Sequence, residues 1–499
     1  MNAPLRRVGV VMMILFGLLF ANLNWVQVYK ADRYRTDDEL NRVRVQQSEY
    51  ERARGSIIVD GEAVARSVET SGTLKYQRQY PFKQAYAHVA GYRPVNLGAT
   101  GIERMENEFL AGTADAFVAD RLLEMFTGQT SPGGNIVLSI RKKVQETAYS
   151  QLLNNRVDAT RGAVVALDPA TGAVLGLVST PSFDPNPLVS HDNATAQKAF
   201  DQLDKDAQKP LLNRAVQETF PPGSTFKVVV SAAALQAGLT QNTPLTGGDS
   251  YQAPDTTQVI RNAPGVVCPD TLSLRQALTV SCNTAFARLG VEQLGADRVK
   301  QTARAFGFSS VPAFERDEDD NVMRVAASQT GTIQGPDGQE DRPALAQSCI
   351  GQREVRMTPL QGALIAAAIA NNGTQMRPYL IDTLQSPDLA PVDHANPKEL
   401  GRPVSPQVAA DLREMMVSVV ENGTGRNARI SGFQVGGKTG TAQNGDLPDH
   451  GWFIGFALKD GRPVVAVAVL LQNAGSGGSA EAARIAGQVM RAAIEAKGL

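Results

Sequence analysis

Twenty-two consecutive residues near the amino terminus, Val8 to Tyr29, carry no formal charge and are rich in Val, Leu, Phe and Met. At about 1.5 Å of rise per residue such a run spans roughly the 30 Å of a bilayer's hydrocarbon. The chain therefore has to fold in two solvents. Arg6 and Arg7 precede the run, and Trp25 and Tyr29 lie toward its far end, where aromatic rings favour the interface. This polarity predicts a cytoplasmic tail over 1–7, a single transmembrane signal anchor over 8–29, and the remainder outside the cell. Ala21 is the one small residue placed for signal-peptide cleavage, and Leu19 stands two positions before it where a second small residue is needed. The anchor is expected to stay.

Beyond it, 49 Lys and Arg balance 50 Asp and Glu, without the cationic excess that a nucleic-acid surface requires. Three Cys with no Cys-x-x-Cys pair, and His only at 88, 191, 394 and 450, form no metal-ligand cluster. No metal or other cofactor is expected. Residues 30–54 are dense in charge and read as a stalk. From about Gly55 to Val157 come short strand-like runs and turn signals, Asp60-Gly61, Ser71-Gly72 and Pro132-Gly133-Gly134, with no gathering of catalytic residue types. The span 30–157 is read as stalk and non-catalytic domain, and 158–499 as the catalytic one.

In that second part, Ala163–Asp168 and Ala173–Val178 flank the turn Pro169–Gly172, and Trp452–Ala457 and Val464–Leu470 flank Asp460-Gly461. Both read as β-hairpins. Helical stretches, among them Phe226–Gln236 and Thr358–Ala370, lie between them. The expected class is α+β, an antiparallel sheet closed by the two ends of the segment and layered with helices.

Pro221-Pro222-Gly223-Ser224-Thr225-Phe226-Lys227 precedes Val228–Leu235, which is apolar all round except for Ser231, as in a buried helix. Ser224 should fall in the first helical turn, where free N–H groups and the dipole favour an oxyanion. Lys227, three residues on, shares its face. A hydroxyl beside an amine kept partly neutral is a nucleophile beside its base. Ser-x-x-Lys alone is weak, since Ser139-Ile140-Arg141-Lys142 repeats it; that copy reads as a strand-to-helix junction. Order and company add the specificity. Ser281-Cys282-Asn283 is the only Ser-x-Asn in the chain and Lys438-Thr439-Gly440 the only Lys-Thr-Gly. Singly, Ser and Asn are helix caps, Lys438 an edge lysine and Gly440 a bulge; jointly they point to one site.

These three motifs resemble the signature of penicillin-binding proteins and serine β-lactamases. The chain resembles in particular a class B penicillin-binding protein, a monofunctional peptidoglycan D,D-transpeptidase with an N-terminal anchor. Arg54-Gly55-Ser56-Ile57 and Gly98–Glu103 look like that family's pedestal motifs. Asn213-Arg214, Gly351-Gln352 through Gln361, and Trp452-Phe453 fit its transpeptidase domain. The resemblance implies a bacterial plasma-membrane protein with a serine β-lactamase/transpeptidase-like domain on a pedestal.

It further implies that Ser224 attacks a stem peptide ending D-Ala-D-Ala, that Lys227 takes its proton, and that β-lactam antibiotics acylate the same serine. Ser281 would relay a proton to the leaving amine, Asn283 would orient Lys227, and Lys438 with Thr439 would hold the terminal carboxylate. Gly440 leaves room for an extended substrate, with Thr441 and Gln443 farther along the strand. The backbone N–H groups of Ser224 and Thr441 would form the oxyanion hole. The pedestal is too short for a glycosyltransferase, so glycan polymerisation would fall to a partner, a membrane glycosyltransferase of the shape, elongation, division and sporulation type.

Four other functions share some of these residues. A β-lactamase would not need the anchor or pedestal, and no Glu-x-x-Leu-Asn occurs between Asn283 and Lys438. A D,D-carboxypeptidase would use water as acceptor, and a β-lactam sensor or a non-catalytic division scaffold would make no product. Finally, exported thiols tend to oxidise. Cys268 and Cys282 are 14 apart and can pair, leaving Cys349 free, if geometry permits.

Overall fold

The computed structural model describes residues 2–25, 50–72, 74–128, 130–312, 314, 323–335 and 338–499. A helix over Asn2–Asn24 opens the chain, and its stretch Arg6–Asn24 is long and apolar enough to cross a membrane, with its side chains exposed throughout. Tyr29 and the stalk as far as residue 49 lie outside the described residues.

The two hairpins read from the sequence form one antiparallel sheet. Its strands run in the order Gln434–Asn444, Leu447–Lys459, Arg462–Gln472, Arg161–Leu167, Val174–Thr180. Asp460 and Gly461 both take positive φ, the geometry of a two-residue hairpin turn. Side chains alternate between two cores. Val164, Ala166, Phe453, Val465, Val467 and Val469 face the helices Gly478–Ala496 and Lys142–Leu153. Ala163, Val165, Leu167, Ile454, Phe456, Ala466 and Ala468 face the helix Pro359–Ala370. Helices on both faces explain why Val464–Leu471 is a continuous apolar run rather than an alternating one. The strand Gln434–Asn444 is left at an edge, and that edge carries the third motif.

The pedestal is built on a six-stranded sheet in the order Pro391–His394, Ile381–Gln385, Asn135–Leu138, Ile57–Val59, Glu62–Glu69, Tyr76–Gln79. Beside its edge strand Tyr76–Gln79 the fully buried Glu103 receives Arg54 Nε at 2.6 Å and Arg78 Nε at 2.5 Å. Burial pushes the Glu103 carboxyl up, but Arg78 and then Arg54 outweigh it and hold it below the ordinary carboxylate range.

Two segments depart from the boundary expected at residues 157 and 158. The hairpin 381–394 leaves the catalytic part and pairs with Asn135–Leu138 in the pedestal sheet. The helix Lys142–Leu153, expected on the pedestal side, packs on the catalytic sheet. Local pattern names a hairpin or a helix, whereas its partner is chosen by long-range packing.

Candidate active site

The turn that carries Ser224 is held from three sides. Phe220 and Met357 exchange two backbone hydrogen bonds, at 3.0 and 2.8 Å, the indole of Trp452 donates to Pro221 O at 2.9 Å, and the Gly223 amide donates to Gly351 O at 2.9 Å. Gly223 takes a left-handed φ of +52°, and a Cβ there would stand 2.4 Å from Thr441 O. The backbone of the turn therefore lies directly against the edge strand. Residues Gly223–Phe226 form a 3₁₀ turn leading into the α-helix Lys227–Gln236, so Ser224 sits half-buried just before the first α-helical residue. Its neighbours Gly223, Thr225 and Phe226 are buried, so Ser224 is the one residue of the turn turned toward solvent.

Lys227 is fully buried at the start of that helix. Its Nζ contacts Ser281 O at 2.8 Å, Asn283 Oδ1 at 2.7 Å and Ser281 Oγ at 3.3 Å, over the ring of Phe286. A neutral amine has two N–H donors and one lone pair. A neutral Lys227 would spend both donors on the two carbonyl-type acceptors and keep its lone pair for a hydroxyl, whereas a charged one donates to Ser281 Oγ as well. Burial first, and the Lys438 cation second, push the Lys227 ammonium well below its ordinary value. No hydrogen bond joins the Ser224 hydroxyl to Lys227 Nζ in this state.

The second motif is a turn between two helices. Leu274–Val280 begins with a capping box of Ser273 and Gln276 and ends on Ser281 in the left-handed region, φ +65°. Cys282 then caps the helix Asn283–Leu289, its Sγ accepting the Ala285 amide. A non-glycine residue in this region costs on the order of 1 kcal/mol, which the flanking helices offset. Asn283 is oriented by its neighbours: its Nδ2 donates to Arg261 O at 2.9 Å and its backbone N–H to Asn262 Oδ1 at 2.9 Å, so its Oδ1 is left for Lys227. Cys268 and Cys282 are joined by a disulfide with Cα atoms 5.7 Å apart, and Cys349 is free and buried. That bond ties the turn to the segment that follows the strand Val259–Arg261 and begins with Asn262.

Lys438 comes from the edge strand, fully buried, with its Nζ donating to Ser281 Oγ at 2.9 Å and to Thr439 O at 3.0 Å. Burial pushes its ammonium down to about 7. Ser281 Oγ is thus shared by two lysines. Thr439 is hydrogen-bonded through its hydroxyl to that of Thr424, in the turn after the helix Pro406–Asn422. Thr424 was missed in the sequence; the signal was its place in Gly423-Thr424-Gly425, between a helix end and the strand. At Gly440 a Cβ would come within 2.6 Å of Pro222 O, so only glycine lets strand and turn meet. Thr441 and Gln443 alternate with Thr439 along the strand and are exposed.

The structure accordingly joins Lys227, Ser281, Asn283 and Lys438 in one hydrogen-bonded network and lays the Ser224 turn against the strand at Thr441. The second Ser-x-x-Lys is different. Ser139 is buried with its Oγ 2.9 Å from Val174 O and 3.0 Å from Tyr379 O, and Lys142 pairs with Glu62 on the surface.

Residues 162–491 match the family described as penicillin binding protein transpeptidase domain, and 54–136 match the penicillin binding protein A dimerisation domain. The peptidoglycan D,D-transpeptidase PbpA of Mycolicibacterium smegmatis is 44% identical over 502 residues, 99% of each chain. Its namesake in Mycobacterium tuberculosis is 41% identical over 502 residues, again 99% of each. A crystal structure of PBPA from Mycobacterium tuberculosis aligns with a TM-score of 0.83 at 41% identity, covering 89% of this chain and 100% of that one. The penicillin G acyl-enzyme complex of penicillin-binding protein A from the same organism aligns with a TM-score of 0.80 at 40% identity, covering 90% and 100%.

Proposed function

Because this chain belongs to the penicillin-binding protein transpeptidase family, we propose that it cross-links peptidoglycan stem peptides through an acyl-enzyme on Ser224 that β-lactams trap. The observation that carries the assignment of roles is the pair of buried lysines converging on Ser281 Oγ. Two ammonium groups this close repel, and Lys227, pushed down by burial and by the Lys438 cation together, is the one read as neutral.

The Ser224 oxygen attacks the carbonyl carbon of the penultimate D-Ala while its proton passes to Lys227 Nζ. The oxyanion is held by the backbone N–H groups of Ser224 and Thr441, and the terminal carboxylate by Lys438 and Thr439. As the C–N bond breaks, the proton leaves Lys227 through Ser281 Oγ for the departing D-Ala amine. Asn283 keeps Lys227 in place and, with Gln443 and the Gly440 backbone, borders the peptide. An acceptor amine then attacks the ester carbonyl, gives its proton to Lys227, and Ser224 recovers it on release.

The same reading makes residues 8–29 the anchor, to which most of the apolar helix stretch Arg6–Asn24 belongs, with Arg6 and Arg7 on the cytoplasmic side and the catalytic part outside the plasma membrane. The pedestal raises the site above the bilayer, and a membrane glycosyltransferase of the shape, elongation, division and sporulation type supplies nascent glycan. The test is covalent labelling by a fluorescent penicillin followed by cross-linking of lipid-linked strands with a partner polymerase present. Ser224→Ala should abolish labelling while keeping the fold, and Lys227→Ala should slow it greatly. Parental labelling in either variant refutes the roles. Labelling without cross-linked product would leave a sensor, and rapid antibiotic turnover a lactamase.

A further inference from the structure

Surface helices of globular proteins turn their apolar stripe inward. The helix Val118–Thr127 does the reverse. Its polar residues are the ones tied to the body: Glu124 accepts from Arg52 Nη2 at 2.5 Å and from the Ser131 amide at 2.6 Å, and Arg121 Nη1 donates to Thr113 O at 2.7 Å. Val118, Leu122, Met125 and Phe126 fall at helical spacing on the other side, joined by Leu123. Met125 is 80% exposed, Phe126 88%, Leu123 62% and Leu122 54%. The helix is firmly set, with Phe117 buried just before it against Phe109, ring centroids 5.0 Å apart, and Gly128 closing it in the left-handed region. Contiguous apolar patches of several hundred Å² are rare on surfaces that face only water.

Its position says what covers it. Arg52, the partner of Glu124, belongs to the segment by which the pedestal is tethered to the helix Arg6–Asn24. Twenty-four residues separate Trp25 from Tyr50. Covalent geometry keeps these two points within about 90 Å whatever the path, so the apolar phase at highest local concentration is the bilayer itself. A second copy is the competing occupant, because the helix lies within residues 54–136, which match a dimerisation domain, but its five apolar side chains offer on the order of 500 Å², short of the roughly 800 Å² per partner of a stable pair.

We propose that Val118–Thr127 is a second membrane contact, its Leu122, Met125 and Phe126 face entering the headgroup–acyl boundary of the leaflet that holds the outer end of the anchor. Two points of attachment, one spanning and one interfacial, fix the orientation of the pedestal on the bilayer, which a single tether does not. The inference rests on the anchor reading above.

The test uses the full chain in nanodiscs of phosphatidylethanolamine and phosphatidylglycerol, with a nitroxide on Met125→Cys. Cys349 is buried and the other two thiols are bonded, so the label goes to the introduced site. Collision with oxygen, which partitions into lipid, is compared with collision with a water-soluble nickel chelate. Oxygen should be favoured at 125 as it is at Ile14→Cys in the anchor, nickel at Leu153→Cys, and adding Phe126→Glu should remove the preference at 125. Penicillin acylation of Ser224 should be parental in every variant, which verifies the fold. Nickel favoured at 125 with oxygen favoured at 14 overturns this inference alone; nickel favoured at both overturns the anchor reading and this one with it. Low access to both reagents, with dipolar broadening between labels, overturns it in favour of a second copy.

Discussion

Lys438→Met should move the acid limb of penicillin acylation to higher pH. The Nζ atoms of Lys227 and Lys438 lie 3.3 and 2.9 Å from the same Ser281 Oγ, so the two nitrogens are at most about 6 Å apart. At an effective dielectric constant of about 20, unit charges at that separation repel by about 3 kcal/mol, roughly a hundredfold in the proton affinity of Lys227. Only neutral Lys227 can accept the Ser224 proton, so acylation rises as pH climbs through its folded value. Burial lowers that value in both proteins, but the coulombic push of Lys438 exists only in the parent. Without it Lys227 keeps its proton to higher pH. Lys438 is itself held at about 7, so the difference is largest below neutrality, where it is charged. The second-order rate of labelling by a fluorescent penicillin, followed against pH, reports the free enzyme. Loss of the carboxylate contact lowers the height of this profile without moving its limb. Lys438→Arg keeps the charge, so its limb should stay while its height falls, the planar fork fitting the ammonium slot poorly. A limb at the parental pH in Lys438→Met, or at a lower one, refutes the reasoning.

Cys268→Ser with Cys282→Ser opens a loop closed across 14 residues and should cost about 3 kcal/mol by the loop-closure relation, read as a lower urea midpoint, and should slow acylation through a looser Ser281 turn. In Gly351→Ala the added Cβ would stand 1.9 Å from Gly223 O at a φ of +72°, backbone against backbone. The Ser224 turn must shift, and acylation should fall by about a hundredfold with the secondary structure kept by circular dichroism. Glu103→Gln leaves Arg54 and Arg78 without their buried counter-charge and should destabilise the pedestal by about 3–5 kcal/mol. Because the folded Glu103 carboxyl is depressed, its contribution is present above the unfolded carboxylate value and disappears as pH falls through the folded one. The urea midpoint of the parent should therefore drop on acidification by more than that of the variant.

Much of the catalytic part was legible because its signals are local. The hairpins around Gly172 and Asp460-Gly461 announce themselves by turn chemistry, and the helix Pro359–Ala370 by a Thr-Pro start and an unbroken apolar run. Lys227, Ser281, Asn283 and Lys438, which the structure joins in one hydrogen-bonded network, were marked in the sequence by three short motifs in order along the chain. Sequence spacing does not supply distance, and what it left unread is long-range. The pairing of 381–394 with the pedestal sheet has no local mark, and neither has the docking of Lys142–Leu153 on the catalytic sheet. Thr424 went unnoticed because a Gly-Thr-Gly turn is ordinary until Thr439 is found beside it.

The arrangement also explains why two lysines can be buried in one site at all. Removing an ammonium from water costs several kcal/mol unless it is paired, and no carboxylate is bonded to either Lys227 or Lys438 among the described residues. The cost is reduced by giving up protons, and the surrounding cores, the two-sided sheet and the buried helix Lys227–Gln236, hold the geometry while that happens. An acidic partner would have lowered the cost by keeping Lys227 charged, and a charged Lys227 cannot serve as base. The carbonyl of Ser281 and the amide of Asn283 solve this by binding the amine without compelling it to hold a third proton. Ser281 is left-handed, and from that conformation both its carbonyl and its hydroxyl reach the same nitrogen, so the backbone strain sits at the residue that binds the amine twice.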